Sequence, residues 1–198
     1  MSAQRDIAAL LGSRICHDLI SPLGAIGNGI ELLGMSPEGA SAEVALIAES
    51  VENANARIRY FRVAFGAASP EASLGRAEVA EILRDLTKSG RIGIEWDAAG
   101  AMPRREVKLA FLLILCLETA MPWGGQIHVS SADGAWYMGA TAEKFKIDAS
   151  LWELLVSPRA DLDITAAQVQ FALVPEMARN AGRTVTTDIR ESYIKISF

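Results

Sequence analysis

Residues 13–33 read Ser13-Arg14-Ile15-Cys16-His17-Asp18-Leu19-Ile20-Ser21-Pro22-Leu23 and then Gly24-Ala25-Ile26-Gly27-Asn28-Gly29-Ile30-Glu31-Leu32-Leu33. Through and around this stretch Ile7, Leu11, Ile15, Leu19, Leu23, Ile26, Ile30 and Leu33 recur at steps of three or four, which makes one apolar stripe on a long helix. His17 lies two positions from both Ile15 and Leu19, about 200° around the helix from each, on the face opposite the stripe. Ser13, Ser21, Gly24, Asn28 and Glu31 share that face. Proline inside a helix removes a backbone donor and costs about 3 kcal/mol, so Pro22 needs a specific reason.

Outward from this helix, Gly34 and Ser36-Pro37-Glu38-Gly39 are breakers that end it, and a second helix begins near Ser41, a suitable N-cap. Val44, Ile47, Val51, Ala54, Ile58, Phe61 and Phe65 then alternate at steps of three and four, an a/d seam. Two antiparallel helices joined by a short turn cannot enclose such a seam. Pairing with a second copy across a two-fold axis closes it as a four-helix bundle, which is the expectation here. Packing against the rest of the same chain is the alternative.

A linker rich in small residues, Gly66-Ala67-Ala68-Ser69-Pro70 and Ser73-Leu74-Gly75, follows. Beyond it helical and strand patterns alternate. Val79, Ile82, Leu83 and Leu86 mark a helix; Ile92, Ile94 and Trp96 a strand; residues 105–120 a buried helix. A hairpin turns at Asp133-Gly134, short and long helices cover about 149–156 and 165–181, and strands Thr184–Ile189 and Tyr193–Phe198 close the chain. The expected fold is α+β: a helical hairpin over residues 1–68 and an α/β sandwich with a mixed sheet over 75–198.

Composition narrows the function. With 198 residues, 51% of them hydrophobic, the chain builds a core without metal or disulfide staples. A net charge of −5 argues against a nucleic-acid partner. Cys16 and Cys116 stand far apart in apolar stretches and read as reduced core thiols. The longest apolar run, Leu109–Leu117, is too short to cross a bilayer and no signal-peptide pattern precedes it. The expectation is a soluble, cytoplasmic protein with no membrane association.

The segment Cys16-His17-Asp18-Leu19-Ile20-Ser21-Pro22-Leu23 resembles the H-box of histidine kinase dimerisation domains, in which a helix bears the phospho-accepting histidine and a proline bends the helix just beyond it. The heptad helix and the α/β domain follow in that family's order. Over nearly the whole chain, including Ala120-Met121-Pro122-Trp123-Gly124-Gly125, the sequence is most similar to the ChpT-type histidine phosphotransferases of alphaproteobacteria. The resemblance implies a dimeric, kinase-like protein with a degenerate ATPase domain, carrying phosphoryl groups between receivers. It also implies that His17 accepts the phosphoryl group and that Asp18 orients the imidazole, although Asp18 also reads as a plain solvated carboxylate.

Degeneracy has its own signs. Kinase ATP domains carry two asparagines four apart on the long helix, where this chain has Leu115 and Thr119. Their glycine-rich nucleotide turn corresponds to Ala140-Thr141-Ala142-Glu143-Lys144-Phe145, without glycine, and their second lid to Asp161-Leu162-Asp163-Ile164-Thr165. Tight ATP binding and kinase activity are therefore not expected, and neither is any intrinsic cofactor. Mg²⁺ is expected on the partner receiver.

Other signals point less far. Gly24-x-x-Gly27-x-Gly29 follows no strand, so the glycines read as room for a partner's approach rather than a dinucleotide loop. Cys16, Cys116, His17 and His128 lack ligand spacing, so no metal site is expected, and His128 reads as an ordinary strand residue. Trp96, Trp123, Trp136 and Trp152 read as packing residues. On the first helix Ser13, Arg14, Ser21, Gly24 and Asn28 are the expected receiver-binding residues, with Arg14 either complementing phosphoryl charge or simply solvated. The expected partners are a second copy of the chain and receiver domains, those of a hybrid histidine kinase and of response regulators. The alternative is a non-catalytic, kinase-like dimer that binds receivers or inhibits a kinase.

Overall fold

A computed structural model describes residues 6–35, 40–69, 71–88, 90–157 and 162–198. The apolar stripe forms one continuous helix, α1 (Ile7–Met35), which runs through Pro22 and past Gly34. The turn expected at Ser36-Pro37-Glu38-Gly39 lies outside the described residues. The second helix, α2 (Ala40–Ala64), starts one residue early, so Ser41 stands inside it rather than capping it. Gly29 sets the register between them: a Cβ there would sit 2.5 Å from Ile47 Cγ1. The three glycines therefore separate. The hairpin itself fills the space at Gly29, while Gly24 and Gly27 remain open.

The α2 seam divides as well. Ala54 and Phe61 are buried within the chain and Ile47 meets Gly29, whereas Val44, Val51 and Ile58 are exposed. One row of the seam closes against the chain's own elements; the other stays open. Tyr60 pins α2 to the second domain by donating to the Phe111 carbonyl at 2.6 Å, with the two rings stacked 4.6 Å apart.

Ser73–Gly75, expected in the linker, forms a short strand, β1, because burial of Leu74 lets its backbone pair antiparallel with β3 (Ala101–Pro103). Between them lie α3 (Arg76–Thr87) and β2 (Ile92–Trp96). Then come α4 (Arg104–Ala120), β4 (Gly125–Ala132), β5 (Ala135–Thr141), α5 (Ala149–Val156), α6 (Val169–Ala181), β6 (Thr186–Ile189) and β7 (Tyr193–Ser197), with a 3₁₀ turn at Ala166–Gln168 before α6. The main sheet has the order β2-β4-β5-β7-β6, parallel only between β2 and β4. Asp133 and Gly134 both take positive φ, 52° and 78°, as a two-residue hairpin turn requires.

Strand alternation sends Ile127, Val129, Trp136, Met138, Ile194 and Ile196 into the core and leaves His128, Tyr137 and Lys195 on an open face. Helix α4 packs against both α2 and α6 and is buried along most of its length. Its one buried acid, Glu106, accepts from Trp136 Nε1 at 2.8 Å and Arg183 Nη2 at 2.7 Å, so the carboxylate is paired.

Two expectations about packing residues need correction. Cys116 is buried but Cys16 is exposed, because it neighbours His17 on the outer side of α1. Trp96, Trp136 and Trp152 are buried, whereas Trp123 is exposed, with Lys144 Nζ 5.2 Å from its ring centroid. No described helix is long and apolar enough to cross a membrane.

Candidate functional site

His17 projects from the outer face of α1 with its side chain 85% exposed, and Ser13, Ser21, Gly24 and Asn28 are exposed along the same helix. Among the described residues the histidine's one close polar contact is to its neighbour: Nδ1 lies 3.1 Å from Asp18 Oδ1. With the ring proton on Nδ1, this contact is a hydrogen bond that leaves the lone pair of Nε2 directed at solvent.

Asp18 is not a solvated carboxylate. Its side chain is only 10% exposed, and Oδ2 accepts from Arg14 Nε at 2.9 Å, one helical turn back. A second guanidinium, Arg57 of α2, places Nη1 3.6 Å from the same oxygen. One carboxylate oxygen thus faces the imidazole and the other faces two cations. A carboxylate with this many partners has little rotational freedom, and it fixes the imidazole that leans on it.

Arg14 takes neither of the two positions expected of it. Besides Asp18 it donates through Nη1 to the Ala167 carbonyl at 2.8 Å, in the turn before α6. Its guanidinium therefore ties the His17 helix to the second domain and is not a free anchor for a partner. Behind it, fully buried Gln170 donates to Thr119 Oγ1 at 3.0 Å and to the Ala167 carbonyl at 3.0 Å. Thr119 is thus engaged within the fold. Half-buried Glu118 faces the same cluster. Burial pushes its carboxyl pKa up, Arg57 and Arg14 draw it down, and Asp18 adds to the upward push.

A cavity of about 410 Å³ opens beside His17, with Asp18, Ser21, Asn53 and Arg57 also in its wall. Leu86 and Gly90 of the second domain complete its far side. Arg57 and Asn53 had no local signal in the sequence. Their position follows from the register that Gly29 and Ile47 set, because Asp18 and Arg57 each lie about three turns further from the hairpin's turn.

A second cluster escapes sequence spacing altogether. Parallel pairing of β2 with β4 sets Glu95 opposite His128, and with Asp97 their ligand-type atoms lie within 4.8 Å of one another. All three are exposed, and Asp97 already accepts from Arg76 at 3.0 Å.

The chain resembles known proteins in sequence and in fold. Residues 76–193 match the family model described as the histidine phosphotransferase C-terminal domain. The chain is 32% identical over 191 residues to a protein phosphotransferase ChpT of Brucella abortus (strain 2308), covering 91% of this chain and 89% of the relative. It superposes on the 1.7 Å structure of a bacterial phosphotransferase with a TM-score of 0.81 and 30% identity, over 97% of this chain and 95% of the other.

Proposed function

The chain belongs to the histidine phosphotransferase family, and from that membership we propose that it serves its phosphorelay through His17, taking a phosphoryl group from an aspartyl phosphate on one receiver domain and passing it to the aspartate of another. The observation that carries the reading is the divided role of the imidazole: Nδ1 is held by Asp18, while Nε2 has no partner among the described residues and the side chain is 85% exposed.

In the forward step Nε2 forms a bond to phosphorus as the bond from phosphorus to the aspartyl oxygen breaks, and the electron pair leaves on the receiver's carboxylate. The ring becomes cationic, with its proton still on Nδ1 against Asp18. The carboxylate that orients the ring therefore also compensates the charge that develops on it. Transfer to the second receiver reverses these bonds. Because phosphoryl transfer depends mainly on positioning and electrostatics, the receiver's own Mg²⁺ and lysine supply the remainder.

The exposed stripe of Ser13, Ser21, Gly24 and Asn28 supports docking of a receiver helix along α1, since helix axes approach to about 8–10 Å only where side chains are small. Apolar Leu23, Ile30, Val44, Val51 and Ile58, exposed in the single chain, support a homodimer through the hairpin. The test is incubation with a receiver phosphorylated on aspartate. Acid-labile label is expected on the wild type and absent from His17→Ala, and a wild type that binds the receiver yet takes no label returns the chain to the non-catalytic binding reading.

A further inference from the structure

We infer that Arg57 is the chain's own phosphoryl-binding cation, exchanging its approach to Asp18 for the phosphoryl oxygens once Nε2 of His17 is phosphorylated. This rests on His17 being the phospho-acceptor. Two arginines reach Asp18, and their situations differ. Arg14 is 15% exposed and spends its guanidinium on Asp18 at 2.9 Å and on the Ala167 carbonyl at 2.8 Å. Arg57 is 43% exposed, its nearest approach to Asp18 is 3.6 Å, and it makes no hydrogen bond among the described residues. A separation of 3.6 Å is outside hydrogen-bond range, so moving that group forfeits little.

Arg57 also stands in the right place. It lies in the wall of the same 410 Å³ cavity as His17 and Asp18, on the neighbouring helix, with Nη1 3.6 Å from the carboxylate whose other oxygen faces the imidazole. A phosphoryl group on Nε2 brings negative charge next to the Asp18 carboxylate, which repels it. While a receiver is docked, its metal offsets that repulsion; when the receiver leaves, the metal leaves with it. The remaining compensation must come from the chain, and a guanidinium presents paired donors that suit phosphoryl oxygens. Arg57 is the cation in this cavity whose hydrogen bonds are unspent.

The two roles of Arg57 and Asp18 then differ in time. Before transfer Arg57 stands beside Asp18, which Arg14 holds; after transfer it holds the product. Its loss should shift the equilibrium between phosphorylated receiver and phosphohistidine toward the receiver, without changing how the receiver docks.

The experiment equilibrates wild type, Arg57→Gln and Arg57→Lys with a saturating phosphorylated receiver domain and measures the phosphoryl partition between the two proteins. Receiver affinity and thermal midpoint are measured beside it. Arg57→Gln is expected to lower the ratio of phosphohistidine to phospho-receiver by about tenfold, the scale of one charge-assisted hydrogen bond, with receiver affinity unchanged. Arg57→Lys is expected to recover part of the loss, and it also carries the test should Arg57→Gln fail to fold. An unchanged partition in Arg57→Gln, a Lys variant no better than the Gln variant, or a matching loss of receiver affinity overturns the assignment. Absence of label from the wild type overturns the phosphotransfer reading instead.

Discussion

Nδ1 of His17 and Oδ1 of Asp18 stand 3.1 Å apart on consecutive residues of one helix, while the other oxygen of Asp18 is held by Arg14 at 2.9 Å. Asp18 is thereby a bracket: fixed from behind, it fixes the ring in front. Replacing Asp18 with Asn keeps an acceptor for Nδ1 but removes the counter-charge for both the arginines and the ring cation. Transfer is expected to slow by about ten- to a hundredfold, as for loss of a supporting carboxylate. Stability is expected to fall by about 1–3 kcal/mol. Transfer rates and thermal denaturation check both, and a full-rate Asp18→Asn would remove the bracket from the mechanism.

The glycines of α1 give a paired prediction. Gly24 has open space where a Cβ would go, so Gly24→Trp should keep the fold yet block transfer by occupying the docking groove. At Gly29 a Cβ meets Ile47 Cγ1 at 2.5 Å, and that branched side chain has little room to yield. Overpacking costs about 1–3 kcal/mol, set against up to about 1 kcal/mol of improved helix propensity. Gly29→Ala should therefore lower the unfolding midpoint while Gly24→Ala holds or raises it. Normal transfer by Gly24→Trp would move the docking surface elsewhere.

Dimerisation is best tested at the open row of the seam. Ile47 is unsuitable, since it packs on Gly29 and a lysine there would break the hairpin itself. Val51 and Ile58 are exposed in the single chain, so Val51→Lys with Ile58→Lys should give a folded monomer where the wild type sediments as a dimer. A wild type that is monomeric at micromolar concentration would refute the bundle.

Glu118 predicts a dependence on pH. Burial raises its carboxyl pKa, with Arg57 and Arg14 opposing and Asp18 reinforcing. A carboxyl whose pKa is higher folded than unfolded favours the native state while protonated, and that contribution is lost as pH rises through the folded value. Glu118→Gln removes the titration. Its thermal midpoint relative to wild type should improve as pH rises above the ordinary glutamate value of about 4.3 and then level off once the folded carboxyl is ionised. Parallel stability curves for the two proteins would show that the carboxyl titrates alike in both states.

Much of the fold was legible because its signals are short-range. The hairpin turn at Asp133-Gly134 and helix α5 at residues 149–156 follow from local φ/ψ preference and periodicity. The same periodicity separated His17 from the apolar stripe of α1. Ser73–Gly75 was missed because a three-residue strand carries no periodicity of its own and exists only through its partner Ala101–Pro103. Trp123 and Cys16 were misjudged for a related reason: an apolar neighbourhood in sequence does not say which side the side chain takes.

By itself the sequence determined the helical hairpin, the sandwich, the outward-facing His17 and its adjacent carboxylate, since each depends on residues within a few turns of one another. Only the tertiary structure decided what surrounds them. Arg57 reaches Asp18 across the hairpin, and Ala167, far along the chain, engages Arg14. The α2 seam, uniform as a heptad pattern, splits into a closed and an open row, with Ile47 covered by α1 at Gly29 and Phe61 by the core of the second domain. Periodicity shows that a face must be covered; what covers it depends on contacts between distant segments, which form only when the chain is folded.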